Sequence, residues 1–158
     1  MRDLSELYLR RSGPPASTEA VRAFEEHFHV TLPADYLHFL SLANGGEPML
    51  DCTFDYTTAF GEFVKDADQA AEFFSLTAAP EDLGGVWENT QHLLKALRSV
   101  GNNIKVVCIG RNSEADAIYL DMDTDPPRIC ILYLDYKETI PKIADSFDEF
   151  VASLHYRR

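Results

Sequence analysis

The sequence predicts an α+β fold, a single domain over residues 1–158 in which a mostly antiparallel sheet of about four to six strands packs with N-terminal helices and a C-terminal helix. Three observations carry this. Apolar residues recur at helical spacing near both ends of the chain. Toward the C-terminal end lie three runs rich in Val, Ile and Tyr, at 104–110, 117–122 and 129–135. They are punctuated by Gly110-Arg111-Asn112 and Asp125-Pro126-Pro127, and links this short imply an antiparallel meander. At 158 residues with 46% hydrophobic and 11% aromatic content, the chain suits one core, and no repeat or low-complexity tract divides it.

Taken in order, residues 3–11 read as a short helix with Leu4, Leu7 and Tyr8 on one face, broken by Ser12-Gly13-Pro14-Pro15. Ser17 can cap a second helix whose Val21, Phe24 and Phe28 fall at i, i+3 and i+7. Residues 32–46 hold a third helix with both its signals. Pro33 stands where a helix has no N–H to satisfy, and Asp35 lies in the first turn, at the positive end of the helix dipole. Tyr36, Phe39, Leu40 and Ala43 then line one face, which must be buried. Asn44-Gly45-Gly46 accepts positive φ and ends the helix. Only Asp35, His38 and the 44–46 loop should point outward, so the stretch is architecture rather than contact surface. The two helices flanking Leu32-Pro33 should form a corner with a sheet as shared partner.

Beyond the corner, 49–54 and 72–77 read as strands, and 86–98 as a helix after Gly84-Gly85 with Val86, Leu93, Leu94 and Leu97 inward. The meander follows. A last helix begins at Ser146, which forms a capping box with Glu149 and buries Phe147, Phe150, Val151 and Leu154.

The net charge is −12, from 26 acids and 14 bases, and it is uneven. Residues 47–88 contain ten acids against the single base Lys65, and residues 114–125 contain five acids and no base. Such a field repels nucleic acid and anionic membranes and attracts basic proteins. The acids singled out as partner contacts are Glu47, Asp51, Asp55, Glu62, Asp66, Asp68, Glu81, Asp82, Glu114 and Asp116. The charged N-terminus lacks a signal-peptide core and no run reaches membrane-span length, so a cytoplasmic protein is expected.

No catalytic constellation emerges. Cys52, Cys108 and Cys130 are odd in number and widely spaced, against a disulfide framework or zinc knuckle, and the last two sit in strand-like runs as small apolar residues. Asp121, Asp123 and Asp125 alternate like the start of a calcium loop, but Pro126 and Leu132 stand where Gly and Glu are required. They read as solvated carboxylates on one face of a strand end. His27 and His29 read as helix-end surface residues, His38 and His92 as isolated, and Trp87 as core. No phosphate loop, nucleophile elbow or dinucleotide fingerprint is present, so no cofactor and no metal are expected.

The spacing Leu32-Pro33-x-Asp35-Tyr36-x-x-Phe39-Leu40-x-x-x-Asn44-Gly45-Gly46, preceded by Phe24-Glu25, resembles the opening of the SUKH superfamily. Ser146-Phe147-x-x-Phe150 resembles its closing helix, while residues 47–103 show no recognisable family pattern. Members are mostly immunity proteins of bacterial toxin systems, with some eukaryotic cell-wall regulators. The resemblance implies a non-enzymatic protein that binds a toxin domain. Acidity adds that the toxin is basic, as a nuclease or nucleic-acid deaminase would be. The runner-up is a regulatory adaptor, which the lack of long polar flanks disfavours, and a small hydrolase stands third. Oligomeric state is left open between monomer and weak dimer.

Overall fold

The computed structural model describes residues 7–49, 52–77, 84–135 and 138–156. In chain order the elements are β1 (Leu9–Arg10), α1 (Thr18–Phe28), α2 (Ala34–Leu42), β2 (Glu47–Pro48), β3 (Cys52–Thr57), β4 (Phe63–Gln69), β5 (Glu72–Phe73), α3 (Val86–Arg98), β6 (Val106–Arg111), β7 (Ala117–Asp121), β8 (Arg128–Tyr133), β9 (Glu138–Ala144), α4 (Phe147–Ser153) and β10 (His155–Tyr156). Every strand pairing is antiparallel. A five-stranded meander runs β5-β6-β7-β8-β9, a three-stranded sheet runs β10-β3-β4, and β1 pairs with β2.

Ser17 caps α1 by accepting from the Ala20 N–H at 3.1 Å. The helix presents Phe24 and Phe28 to Trp87 of α3, with ring centroids 5.5 and 5.4 Å away. α2 turns elsewhere: Tyr36 and Phe39 meet Phe147 of α4 at 5.1 and 5.2 Å, and Phe39 meets Phe73 of β5 at 5.3 Å. The corner therefore divides its apolar faces between the two later helices and one strand, rather than sharing a sheet. Within it, Glu25 accepts the Leu32 N–H at 2.7 Å, which pins the link between α1 and α2. Asp35 accepts the N–H of its neighbour Tyr36 at 2.8 Å and that of Asp148, in the first turn of α4, at 3.0 Å. The closing helix is also held by Ser146, which accepts the Glu149 N–H at 3.2 Å, while Glu149 reaches back to the Asp145 N–H at 3.1 Å.

Several sequence expectations are corrected. The expected helix at 3–11 is replaced by strand β1 at Leu9–Arg10, since pairing with β2 supplies backbone bonds that a helix this short would lack at its ends; residues 3–6 lie outside the described residues. The 44–46 loop is buried, not outward. Asn44 pairs with both backbone groups of Leu76, donating to its carbonyl at 2.8 Å and accepting its N–H at 2.7 Å. Gly45, at φ 78°, passes so close to 73–75 that a Cβ would lie 2.7 Å from the Ser75 nitrogen. Gly46 exchanges two backbone bonds with Phe73. The expected strand 72–77 is thus only Glu72–Phe73, and the rest serves this crossing. The strand expected at 49–54 starts at Cys52, and β4, β9 and β10 were not foreseen. Asp121 is buried and ion-paired with Arg128 at 3.1 Å, and β7 ends there, so the three alternating aspartates do not share a solvated strand face.

Candidate functional site

The acids singled out from the sequence fall into groups with different fates. Asp51, Glu81 and Asp82 lie outside the described residues. Glu47 on β2 takes Arg10 at 3.0 Å and Arg11 at 3.4 Å, pairs exposed enough to contribute little stability. Asp116, in the β6–β7 connection, is 5% exposed; its oxygens accept from Asn112 Nδ2 at 3.0 Å and Leu134 N–H at 2.9 Å. Asp68 on β4 accepts from the same Asn112 amide at 2.9 Å and from the Tyr133 hydroxyl at 3.0 Å. Tyr133 also touches the Tyr56 hydroxyl at 3.4 Å. This Asp116–Asn112–Asp68–Tyr133 chain fastens the three-stranded sheet to the meander. Burial, reinforced by the Tyr56 hydroxyl, raises the Tyr133 pKa far above its ordinary value, so the phenol stays a donor.

What remains accessible gathers on the β3–β4 hairpin. Its ladder shifts register between Phe54 and Tyr56, where residues 65–67 of β4 bulge opposite Asp55, whose Oδ1 accepts the Asp66 N–H at 2.8 Å. Asp66 adopts φ 48° and accepts from Thr53 Oγ1 at 2.9 Å and from His155 Nε2. His155 on β10 turns Nδ1 to the Ser153 carbonyl at 2.9 Å and stands 3.8 Å from Asp55. The Ser153 carbonyl first, then Asp66, raises the His155 pKa; His155 in turn, with Thr53, holds Asp66 below the usual carboxylate range. Among the described residues this is the one cluster of three side chains spaced to grip a cation, with ligand atoms within 4.8 Å, and the His155 ring already lies against both carboxylates.

The hairpin ends in an ordered turn. Thr58 N–H donates to the Glu62 carbonyl at 2.8 Å, Gly61 N–H to the Thr58 carbonyl at 2.9 Å, and Glu62 N–H to Thr58 Oγ1 at 3.1 Å. Around it Glu62 is exposed, and Phe60 and Phe63 are 96% and 64% exposed. Glu114 is exposed on the β6–β7 connection. Sequence reasoning missed Phe60, Phe63 and His155. The readable signal was the phenylalanine inside Thr58-Ala59-Phe60-Gly61, a turn composition that ordinarily excludes it.

The remaining side chains offer little chemistry. All three cysteines are buried and none forms a disulfide among the described residues, and burial pushes the Cys108 and Cys130 thiols up to about 12, which keeps them protonated. His27 rests on Trp87 with ring centroids 4.9 Å apart, and Trp87 donates Nε1–H to the Thr77 carbonyl at 3.2 Å from within the core. No helix among the described residues is long and apolar enough to cross a membrane.

Front helices, an antiparallel meander and a capped closing helix define an α+β fold. The family model of the SMI1 / KNR4 family (SUKH-1) matches residues 15–153, and the chain belongs to that family. The match runs through 47–103, the stretch in which no family pattern was legible. No curated protein and no solved structure matches the chain.

Proposed function

We propose that this protein is an immunity protein, which binds a cognate toxin domain one-to-one and neutralises it without catalysing a reaction. The observation that supports this reading is the accessible acid of the β3–β4 side, where Asp55, Glu62 and Asp66 stand against Lys65 and His155, within a chain of net charge −12. A toxin that cuts or deaminates nucleic acid carries a basic cleft for phosphates, and this surface is complementary to it. Charge at that rim speeds encounter and selects the partner. Asp68 and Asp116 serve the frame and are not part of the proposed contact; Glu114 flanks it.

Co-expression with the toxin domain encoded beside this gene tests the reading. The expected outcome is host survival and a stoichiometric complex whose association slows as salt rises. Death at the unprotected rate, with no complex on mixing the purified proteins, overturns it.

A further inference from the structure

We propose that the tip of the β3–β4 hairpin anchors the complex: Phe60 and Phe63 enter an apolar pocket on the partner, and the acids around them meet a basic rim. The inference rests on the toxin-binding reading for the partner's identity and adds where and by what chemistry it is held.

Phe60 is the most exposed large apolar side chain among the described residues, and Phe63 is next. Single exposed apolar residues are ordinary, but two aromatic ones three positions apart on one projecting turn form a patch. Neither has a local structural task. The turn is closed by Thr58, Gly61 and Glu62 through their backbone and the Thr58 hydroxyl, so a small polar residue at position 60 would serve it as well. Interface anchors are typically aromatic side chains that are exposed when free and fully desolvated when bound.

The tip is also presented rigidly. At its base Asp55 bonds the Asp66 backbone, Asp66 bonds Thr53 and His155, and Asp68 is tied to Asn112 and Tyr133. An anchor held this way loses little conformational freedom on docking. Between the hairpin and β9 lies a groove of about 420 Å³, lined by Asp55, Tyr56, Phe63, Lys142 and Ile143 among others, which offers room for a partner side chain beside Phe63.

Charge selects among the exposed apolar patches. Met49 and Tyr8 form another, joined by the Met49 N–H to Tyr8 carbonyl bond at 2.8 Å, but it adjoins Arg10 and Arg11. That pair of arginines exceeds its one acid partner, Glu47, whereas at the hairpin Asp55, Glu62 and Asp66, with Asp145 paired to Lys142, outnumber Lys65, His155 and Lys142, so a basic partner is drawn to the hairpin.

The test uses the full-length protein and the purified toxin domain encoded beside its gene. Phe60→Ser and Phe63→Ser should each weaken binding at least about tenfold, mainly through faster dissociation, with melting temperature unchanged because neither ring is part of the core. Glu62→Gln should chiefly slow association at low salt. Tyr8→Ser should stay within about twofold of the parent. Parent-like binding by both phenylalanine variants, with an intact parent complex, overturns this inference alone. No complex with the parent protein overturns the toxin reading and this inference together. Sedimentation showing a dimer that Phe60→Ser dissolves makes a second copy the occupant, which also overturns it.

Discussion

Two buried polar side chains on adjoining parts of the signature helix should respond to mutation in opposite directions. Tyr36 is fully buried among Phe39 and Phe147, and its hydroxyl has no hydrogen-bond partner among the described residues. Removing an unsatisfied buried hydroxyl costs nothing, so Tyr36→Phe should leave stability unchanged or raise it by up to about 1 kcal/mol in denaturant melts. Asn44 is the reverse case, since Asn44→Ala strands both the N–H and the carbonyl of Leu76 in the interior. A loss of about 2–4 kcal/mol is expected in the same melts. Both residues were legible as a motif; their roles were not. Helical periodicity identifies Tyr36 as inward, and the asparagine-glycine pair marks a helix end, but only the tertiary crossing shows that the loop threads against 73–76. The residues that stop the helix are the ones that let another segment approach it.

Elements were legible in proportion to how much their own side chains decide them. The helix at Val86–Arg98 and the cap at Ser146 were recovered closely, because periodicity and capping are written locally. β4 was missed because Lys65, Asp66 and Asp68 give it a turn-like composition, and its strand character comes from pairing with β3. β9 carries Pro141, a residue that ordinarily argues against a strand, yet β9 is the last strand of the meander and Pro141 falls where its ladder shifts register, between the Ile140–Ile131 and Ala144–Ile129 pairs. β10 is two residues long, held beside β3 with help from the His155–Asp66 contact. That contact should be pH-dependent. The raised His155 pKa contributes stability that is fully present below about 6.5, its ordinary value, and fades as pH rises through the native value. The lowered Asp66 pKa acts oppositely, its contribution present above 3.8 and lost as pH falls through the native value. Paired melts of the parent and His155→Ala should therefore differ most around pH 5 and converge in the alkaline range.

At the scale of the whole molecule, the two larger sheets are joined by core packing and by the polar chain Asp116–Asn112–Asp68–Tyr133. Asp68→Ala removes its middle and takes one acceptor from the buried Asn112 amide and one from the Tyr133 phenol. Amide exchange should then quicken in β3 and β4 while β6, β7 and β8 keep their protection. Equal acceleration in all five strands would show that the sheets open as one unit. The charge asymmetry that pointed to this side of the chain was legible from composition alone. Which acids are accessible was not, because a carboxylate in a hydrogen-bonded frame and one in solvent have the same letter. The closed turn at the hairpin tip has a last consequence. Since Thr58, Gly61 and Glu62 hold the loop by backbone and hydroxyl contacts, the side chains at 59, 60 and 63 can be exchanged without disturbing anything beneath them. The face shown by this tip can therefore be rewritten in a handful of codons, while the rest of the sequence goes on folding as before.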